Sequence, residues 1–192
     1  MAITLLLGGA RSGKSSFAVE YGQRRGGHVV YLATAPPVDD DLADDDMARR
    51  IVRHRGERPA SWTTIEETVD LLAAIDRAGD DTDLLIIDCL TLWASNLMWQ
   101  GRSDEAIVDA ADAAAARCRE LSAQVIVISN EVGLGVHPET PLGRRYRDVL
   151  GLVNQRWATA ADEALLMVAG RALRLQSPGE LLDLPGAVGD LA

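Results

Sequence analysis

Aromatic side chains are scarce in this chain: one phenylalanine, three tyrosines and four tryptophans make up 4% of 192 residues. Basic residues are few against acidic ones, 19 to 29, for a net charge of −10. Both shortages argue against a nucleic-acid-binding function, which calls for a basic groove and stacking rings. Cysteine occurs twice, at Cys89 and Cys118, in no metal-ligand spacing, and so few thiols suit a reducing cytoplasm. Neither cysteine reads as catalytic, since Cys89 falls at a buried strand end and Cys118 in an Ala-rich helix. The N-terminus lacks a charged start followed by a cleavable apolar stretch. No run of 18 apolar residues occurs, so no membrane span is expected. There is no internal repeat. The hydrophobic fraction of 47% is enough for a core, and the length suits one domain over residues 1–192.

Against this background one stretch stands out. Gly8-Gly9-Ala10-Arg11-Ser12-Gly13-Lys14-Ser15 fits G-x-x-x-x-G-K-[ST], the phosphate-binding P-loop. Its setting is right: Ile3 to Leu7 is a short apolar run, and Ser16 to Arg25 reads as a helix. Small residues let backbone N–H groups converge on phosphate oxygens, and the following helix offers unpaired N–H groups and the positive end of its dipole. Lys14 is expected to reach the β and γ phosphates, and the Ser15 hydroxyl to take a place on Mg²⁺.

Further apolar runs follow at Val29 to Ala33, Leu84 to Asp88, Val125 to Ser129 and Ala164 to Val168, and Ala172 to Leu175 is expected to pair with the last as a hairpin across Gly170. The first four runs lack alternation, as in a parallel sheet buried on both faces. Helical stretches are expected over Thr68 to Arg77, Ser103 to Ser122 and Leu142 to Ala161. Strands alternating with helices give a doubly wound α/β domain. Ligands in such sheets gather at the carboxyl ends of the strands. That rule collects Gly8 onward, Ala33-Thr34, Asp88, Ser129-Asn130-Glu131 and Gly170 into one cleft. Asp88, an acid ending an apolar strand downstream of the P-loop, has the Walker B arrangement and is expected to hold Mg²⁺ opposite Ser15. Asn130 and Glu131 could touch ligand or anchor a loop, and spacing does not choose between these.

Asp39 to Asp46 holds six aspartates and reads as a solvated loop, without the glycine and terminal glutamate of a calcium loop. A helix is expected over about Asp46 to Arg55, with Met47, Ile51 and His54 on one face. Arg49, Arg50, Arg53, Arg55 and Arg58 crowd around it. This basic cluster either balances the aspartates or forms a second phosphoryl site. In the second case His54 is a candidate nucleophile, able to hold a phosphoramidate while arginines stabilise the oxygens. A histidine on a helix face is otherwise usually structural. His28 reads as a surface turn residue and His137 as a loop residue.

Taken together, these segments resemble the bifunctional adenosylcobinamide kinase / adenosylcobinamide-phosphate guanylyltransferase family of cobalamin biosynthesis. The resemblance rests on the P-loop form Leu7 to Ser15, Tyr31-Leu32-Ala33-Thr34-Ala35, Met47-Ala48-Arg49-Arg50-Ile51, and His54-Arg55 with Arg58-Pro59 and Trp62. It continues through Thr64-Ile65-Glu66-Glu67, Asp88-Cys89-Leu90-Thr91 with Asn96-Leu97, Ser129 to Gly133, Arg147-Asp148 and Val153-Asn154-Gln155. The resemblance implies a RecA-like P-loop fold with a C-terminal hairpin and a homotrimer in the cytoplasm. It implies two reactions: phosphorylation of adenosylcobinamide by ATP or GTP, then transfer of GMP from GTP to the new phosphate through a guanylylated His54. It places nucleotide contacts on Gly8 to Ser15, on Ala33, Thr34 and Ala35, on Arg55, Gly56, Glu57 and Arg58, and on Glu66 and Asp88. The alternatives are a P-loop small-molecule kinase without nucleotidyl transfer and a RecA-like ATPase module.

Overall fold

The computed structural model describes residues 2–36, 56 and 58–182. Six parallel strands and one antiparallel edge strand form a single sheet. The strands are β1 (Ile3–Gly8), β2 (Val29–Ala33), β3 (Thr63–Glu66), β4 (Leu84–Asp88), β5 (Gln124–Ile128), β6 (Glu163–Val168) and β7 (Arg171–Leu175), in the spatial order β3-β2-β4-β5-β1-β6-β7. The helices are α1 (Lys14–Arg25), α2 (Leu71–Ala78), α3 (Leu90–Trp99), α4 (Asp104–Glu120), α5 (Pro141–Ala160) and the short α6 (Pro178–Leu182). Among the described residues no helix is long and apolar enough to cross a membrane.

The four apolar runs expected to be buried on both faces are the central strands. Leu5, Leu6, Val30, Leu32, Leu84 to Ile87, Val125 and Val127 are essentially inaccessible to water. Each such side chain contributes on the order of 1.5–3 kcal/mol relative to exposure. One face of the sheet carries α2, α3, α4 and α5, with Trp93 and Trp157 filling its centre. The other carries α1, packed through Ala18 and Val19 against Leu6, Tyr31, Ile86 and Ile126.

Local chemistry sets the helix starts. The Asp70 side chain accepts from the Ala73 N–H, Ser103 from Ala106 and Thr140 from Gly143, with Pro141 in the first turn of α5. The first of these shifts the helix expected over Thr68 to Arg77 to Leu71–Ala78. Three elements depart from the expectations, the short α6 (Pro178–Leu182) among them. Strand β3 is polar and largely exposed, so it carries no hydrophobic signal. Helix α3 is apolar nearly all round and follows β4 with only Cys89 between them. Cys89 is therefore the half-buried N-cap residue of α3 rather than part of a buried strand end. Cys118 is buried in α4 as expected. The hairpin across Gly170 is present, with Val168 opposite Arg171.

Candidate active site

Parallel pairing brings the carboxyl ends of six strands to one edge. The register is continuous across it: Glu66 pairs with Ala33, Ala33 with Asp88, Asp88 with Ile128, and Ile128 with Leu6. Glu66, Ala33 and Asp88 thus lie in one row at strand spacings of about 4.8 Å. Gly8 stands two residues beyond that row. Strand β5 separates the P-loop strand from the Asp88 strand.

The P-loop spans the turn from β1 to α1, and its glycines are dictated by close approach. Gly8 has φ 149°, and a Cβ there would stand 2.3 Å from the Met167 carbonyl oxygen of β6. Gly13 has φ 98°, and a Cβ there would meet the Gly170 Cα at 3.3 Å. Neighbouring loops clamp the turn: the Glu131 N–H donates to the Gly8 carbonyl at 3.1 Å, and the Gly170 N–H to the Ser12 carbonyl at 3.0 Å. Gly13 caps α1 without any side-chain acceptor, so the N–H groups of the first turn face the cleft edge as a ready anion site. Ser15 is half-buried in that turn.

Lys14 is buried and its ammonium lies within the loop. It donates to the Gly8 and Gly9 carbonyls, both at 2.8 Å, and to Ser12 Oγ at 3.3 Å. Burial lowers its pKa from the usual lysine value, and the Cys89 and Asp88 side chains pull it back up. The Cys89 thiol is itself pushed up to about 12 by burial and by Asp88. It is neutral at neutral pH, so the Asp88 carboxylate is the effective counter-charge to Lys14.

Thr34 fixes the backbone around Asp88. It is fully buried; its Oγ1 donates to the Cys89 carbonyl at 2.7 Å and accepts from the Cys89 N–H at 2.8 Å. Its own N–H donates to the Asp88 carbonyl at 2.9 Å, and its carbonyl accepts from Asn96 Nδ2 at 3.0 Å. Asn96 also donates to the Thr68 carbonyl at 2.9 Å, which ties the end of β2 to the loop before α2. On the other side, Ser129 Oγ donates to Asn154 Oδ1 at 2.6 Å, Asn154 Nδ2 to the Asn130 carbonyl at 3.0 Å, and the Asn130 N–H to Thr91 Oγ1 at 2.7 Å. Glu131 Oε1 accepts from the Gly133 N–H at 2.5 Å. The Asn130 main chain and the Glu131 carboxylate thus hold the loop after β5 in place.

In the sequence Tyr31 belongs to an apolar run and to the segment Tyr31 to Ala35 that carries the family resemblance, with no role of its own. Its ring lies on the α1 face of β2, two residues before Ala33, and its hydroxyl donates to Asp88 Oδ2. The Arg58 guanidinium sits over the ring, 3.8 Å from its centroid, and the Trp62 ring stacks on it at 6.5 Å and 24°. Arg58 Nε is buried with no hydrogen-bond partner among the described residues. Burial raises the Tyr31 pKa well above the usual phenol value, and the Asp88 charge adds to this. The only forewarning in the sequence was a lone hydroxyl-bearing ring in an otherwise aliphatic strand.

Beyond Tyr31, an open cavity of about 260 Å³ is lined by Arg58, Pro59, Ala60, Trp62, Thr64 and Glu66. The structure thus brings Gly8 to Ser15, Ala33, Thr34, Ala35, Arg58, Glu66 and Asp88 to one edge of the sheet. Gly56 is exposed. His54, Arg55 and Glu57 lie outside the described residues, as do the acidic run from Asp39 to Asp46 and the helix expected over about Asp46 to Arg55. His28 and His137 hold structural positions: His28 approaches Thr63 Oγ1 and the Asp81 carbonyl, both at 3.3 Å, and His137 Nδ1 lies 2.8 Å from the Arg147 guanidinium.

Comparison with known proteins agrees with this geometry. A KaiC-like protein of the hyperthermophilic archaeon Pyrococcus horikoshii superposes with a TM-score of 0.51 at 16% identity, over 86% of this chain and 70% of that one. This is a likeness of fold alone, and it bears out the RecA-like P-loop architecture. The bifunctional adenosylcobalamin biosynthesis protein CobP of Pseudomonas aeruginosa is 40% identical over 173 residues, 90% of this chain and 96% of that protein. The bifunctional adenosylcobalamin biosynthesis protein CobU of Salmonella typhimurium is 38% identical over 186 residues, 90% of this chain and 98% of that protein. Its namesake in Escherichia coli is 34% identical over 184 residues, with the same coverage. The family model described as cobinamide kinase / cobinamide phosphate guanyltransferase matches residues 4–175. With nearly the whole chain matched by that model and by relatives of nearly equal length, the protein belongs to the cobinamide kinase / cobinamide phosphate guanyltransferase family of transferases.

Proposed function

We propose that this chain, as one domain over residues 1–192, phosphorylates the aminopropanol hydroxyl of adenosylcobinamide and then converts the product to adenosylcobinamide-GDP. In the first step the corrinoid hydroxyl oxygen attacks the γ phosphorus of ATP or GTP, and the nucleoside diphosphate leaves. In the second, a His54 ring nitrogen attacks the α phosphorus of GTP and pyrophosphate leaves. A phosphate oxygen of adenosylcobinamide phosphate then displaces histidine from the guanylyl group. The observation that carries this reading is the convergence of a buried P-loop lysine and the Asp88 carboxylate at one sheet edge, in a chain matched along its length by bifunctional relatives.

The geometry of the described residues supports the following roles. Lys14 exchanges its loop carbonyls for phosphate oxygens and stabilises charge as it develops on them. The uncapped first turn of α1 receives the same phosphates. Family resemblance assigns Arg55, Gly56, Glu57 and Arg58 to guanylyl recognition, and Ala33 to Ala35 and Glu66, in the row with Asp88, to nucleotide contact. Among the described residues no cluster of three acidic, histidine or cysteine ligands exists. Mg²⁺ characteristically takes one or two protein oxygens and fills its other positions with phosphate oxygens and water. Asp88 and Ser15 are the residues that would hold it, and Asp88 keeps one carboxylate oxygen clear of Tyr31. Mg²⁺ supplies charge neutralisation between the phosphates. We place the enzyme in the cytoplasm as a homotrimer.

The test is product analysis. Incubation with adenosylcobinamide, GTP and Mg²⁺ should yield adenosylcobinamide phosphate and then adenosylcobinamide-GDP by mass spectrometry. Phosphate alone would favour a plain kinase, and no corrinoid product at all would refute the reading.

A further inference from the structure

We propose that Tyr31 is a positioning residue that joins the two halves of the site, holding Asp88 by its hydroxyl and Arg58 by its ring face. This deepens the assignment of Asp88 and Arg58 to nucleotide binding and rests on it. The geometry is specific. Tyr31 is 1% exposed, in the middle of β2, where the strand cannot move independently of β4. Its hydroxyl reaches the last residue of β4 and donates to a single oxygen of that carboxylate. This fixes the rotation of Asp88 and keeps one of its oxygens turned away from the phenol. Thr34 fixes the Asp88 backbone through its N–H, so side chain and backbone are set by different residues, Tyr31 within β2 and Thr34 just after it.

The ring does separate work. Arg58 Nε is buried and has no hydrogen-bond partner among the described residues; the contact of its guanidinium that they show is with the ring. It rests on the π face at 3.8 Å, a cation–π contact. Trp62 stacks on the same ring and stiffens the platform. Arg58 in turn lines the cavity together with Trp62, Thr64 and Glu66. One aromatic side chain thereby registers the wall of that cavity on the acid opposite the P-loop, a distance two strands wide.

The two functions separate by substitution. Tyr31→Phe keeps the ring and removes only the hydroxyl, whereas Tyr31→Leu removes both. Mn²⁺ serves as the metal probe, with GDP present, and free Mn²⁺ is read by electron paramagnetic resonance without turnover. Tyr31→Phe should weaken Mn²⁺ binding about tenfold, the scale of one hydrogen bond to a charged group, and leave metal-free GTP affinity unchanged. Tyr31→Leu should lower GTP affinity to the same extent as Arg58→Leu, and the double variant should be no worse than either. Unchanged Mn²⁺ affinity in Tyr31→Phe would overturn the hydroxyl role. Losses from Tyr31→Leu and Arg58→Leu that simply add would overturn the ring role. Because the Arg58 cycle does not need the Phe variant, poor folding of one substitution leaves the other arm decisive. A wild-type chain that binds Mn²⁺ and GDP but makes no corrinoid product would refute the reaction assignment while leaving this proposal intact.

Discussion

On the P-loop side of Asp88, the proposed phosphate cradle is a contiguous stretch of backbone; on the Arg58 side, the candidate site is assembled from side chains far apart in the chain. Gly8, Gly13 and Lys14 form their cradle within a single turn, and Lys14 is satisfied by its own loop at 2.8 Å from two carbonyls. Tyr31, Arg58, Trp62 and Asp88 meet because β2 and β4 pair and because Arg58 and Trp62 pack against the Tyr31 ring. The first arrangement suits a ligand group common to every nucleoside triphosphate. The second can be changed one side chain at a time, as recognition of a particular nucleotide or acceptor requires.

The contrast can be broken most forcefully at Lys14. Lys14→Ala should reduce the kinase step by about 100-fold or more, the usual cost of removing a preorganised charge donor, with little change in folding. Steady-state assay of corrinoid phosphorylation checks this, and undiminished phosphorylation would remove the lysine from the mechanism. Next comes the backbone of the cradle. Gly8→Ala places a Cβ 2.3 Å from the Met167 carbonyl in a positive-φ position. It should cost about 3 kcal/mol of stability, measured by denaturant titration, because main chain cannot give way as a side chain can. Wild-type stability in that variant would mean that the β1–β6 joint is looser than the geometry requires. The mildest change sharpens the other side. Thr34→Val keeps the shape but leaves the Cys89 N–H and carbonyl without their partner, for a loss of about 1–3 kcal/mol. Its effect on the metal-dependent step should exceed its effect on metal-free GTP binding, since it acts next to Asp88.

The same contrast governs what could be read before the fold was known. The P-loop, the four buried strands and the Asp88 strand end were legible because they are local: a run of branched apolar residues, a spacing of glycines, an acid at a boundary. Helix α3 was not, because an apolar surface all round has no 3.6-residue stripe and Cys89 offers no capping side chain. Strand β3 was not, because Thr63, Thr64 and Glu66 are exposed at the far end of the described sheet. Glu66 entered only through resemblance to a family. Tyr31 was assigned to the core and is indeed buried, yet its hydroxyl and both uses of its ring depend on partners from β4 and from Arg58 and Trp62. No pattern within β2 encodes them. His54 is the converse case: residue type and family pattern single it out, and it lies outside the described residues.

The central claim is that one chain uses the P-loop for phosphoryl transfer and His54 for guanylyl transfer. It is tested most directly by incubating the protein with GTP labelled in the α phosphate. Covalent label should appear on the protein, stable to alkali and lost in acid as a phosphoramidate is, and should vanish in His54→Ala while persisting in Tyr31→Phe. Label that survives His54→Ala, or wild-type protein that takes up none, would contradict the account.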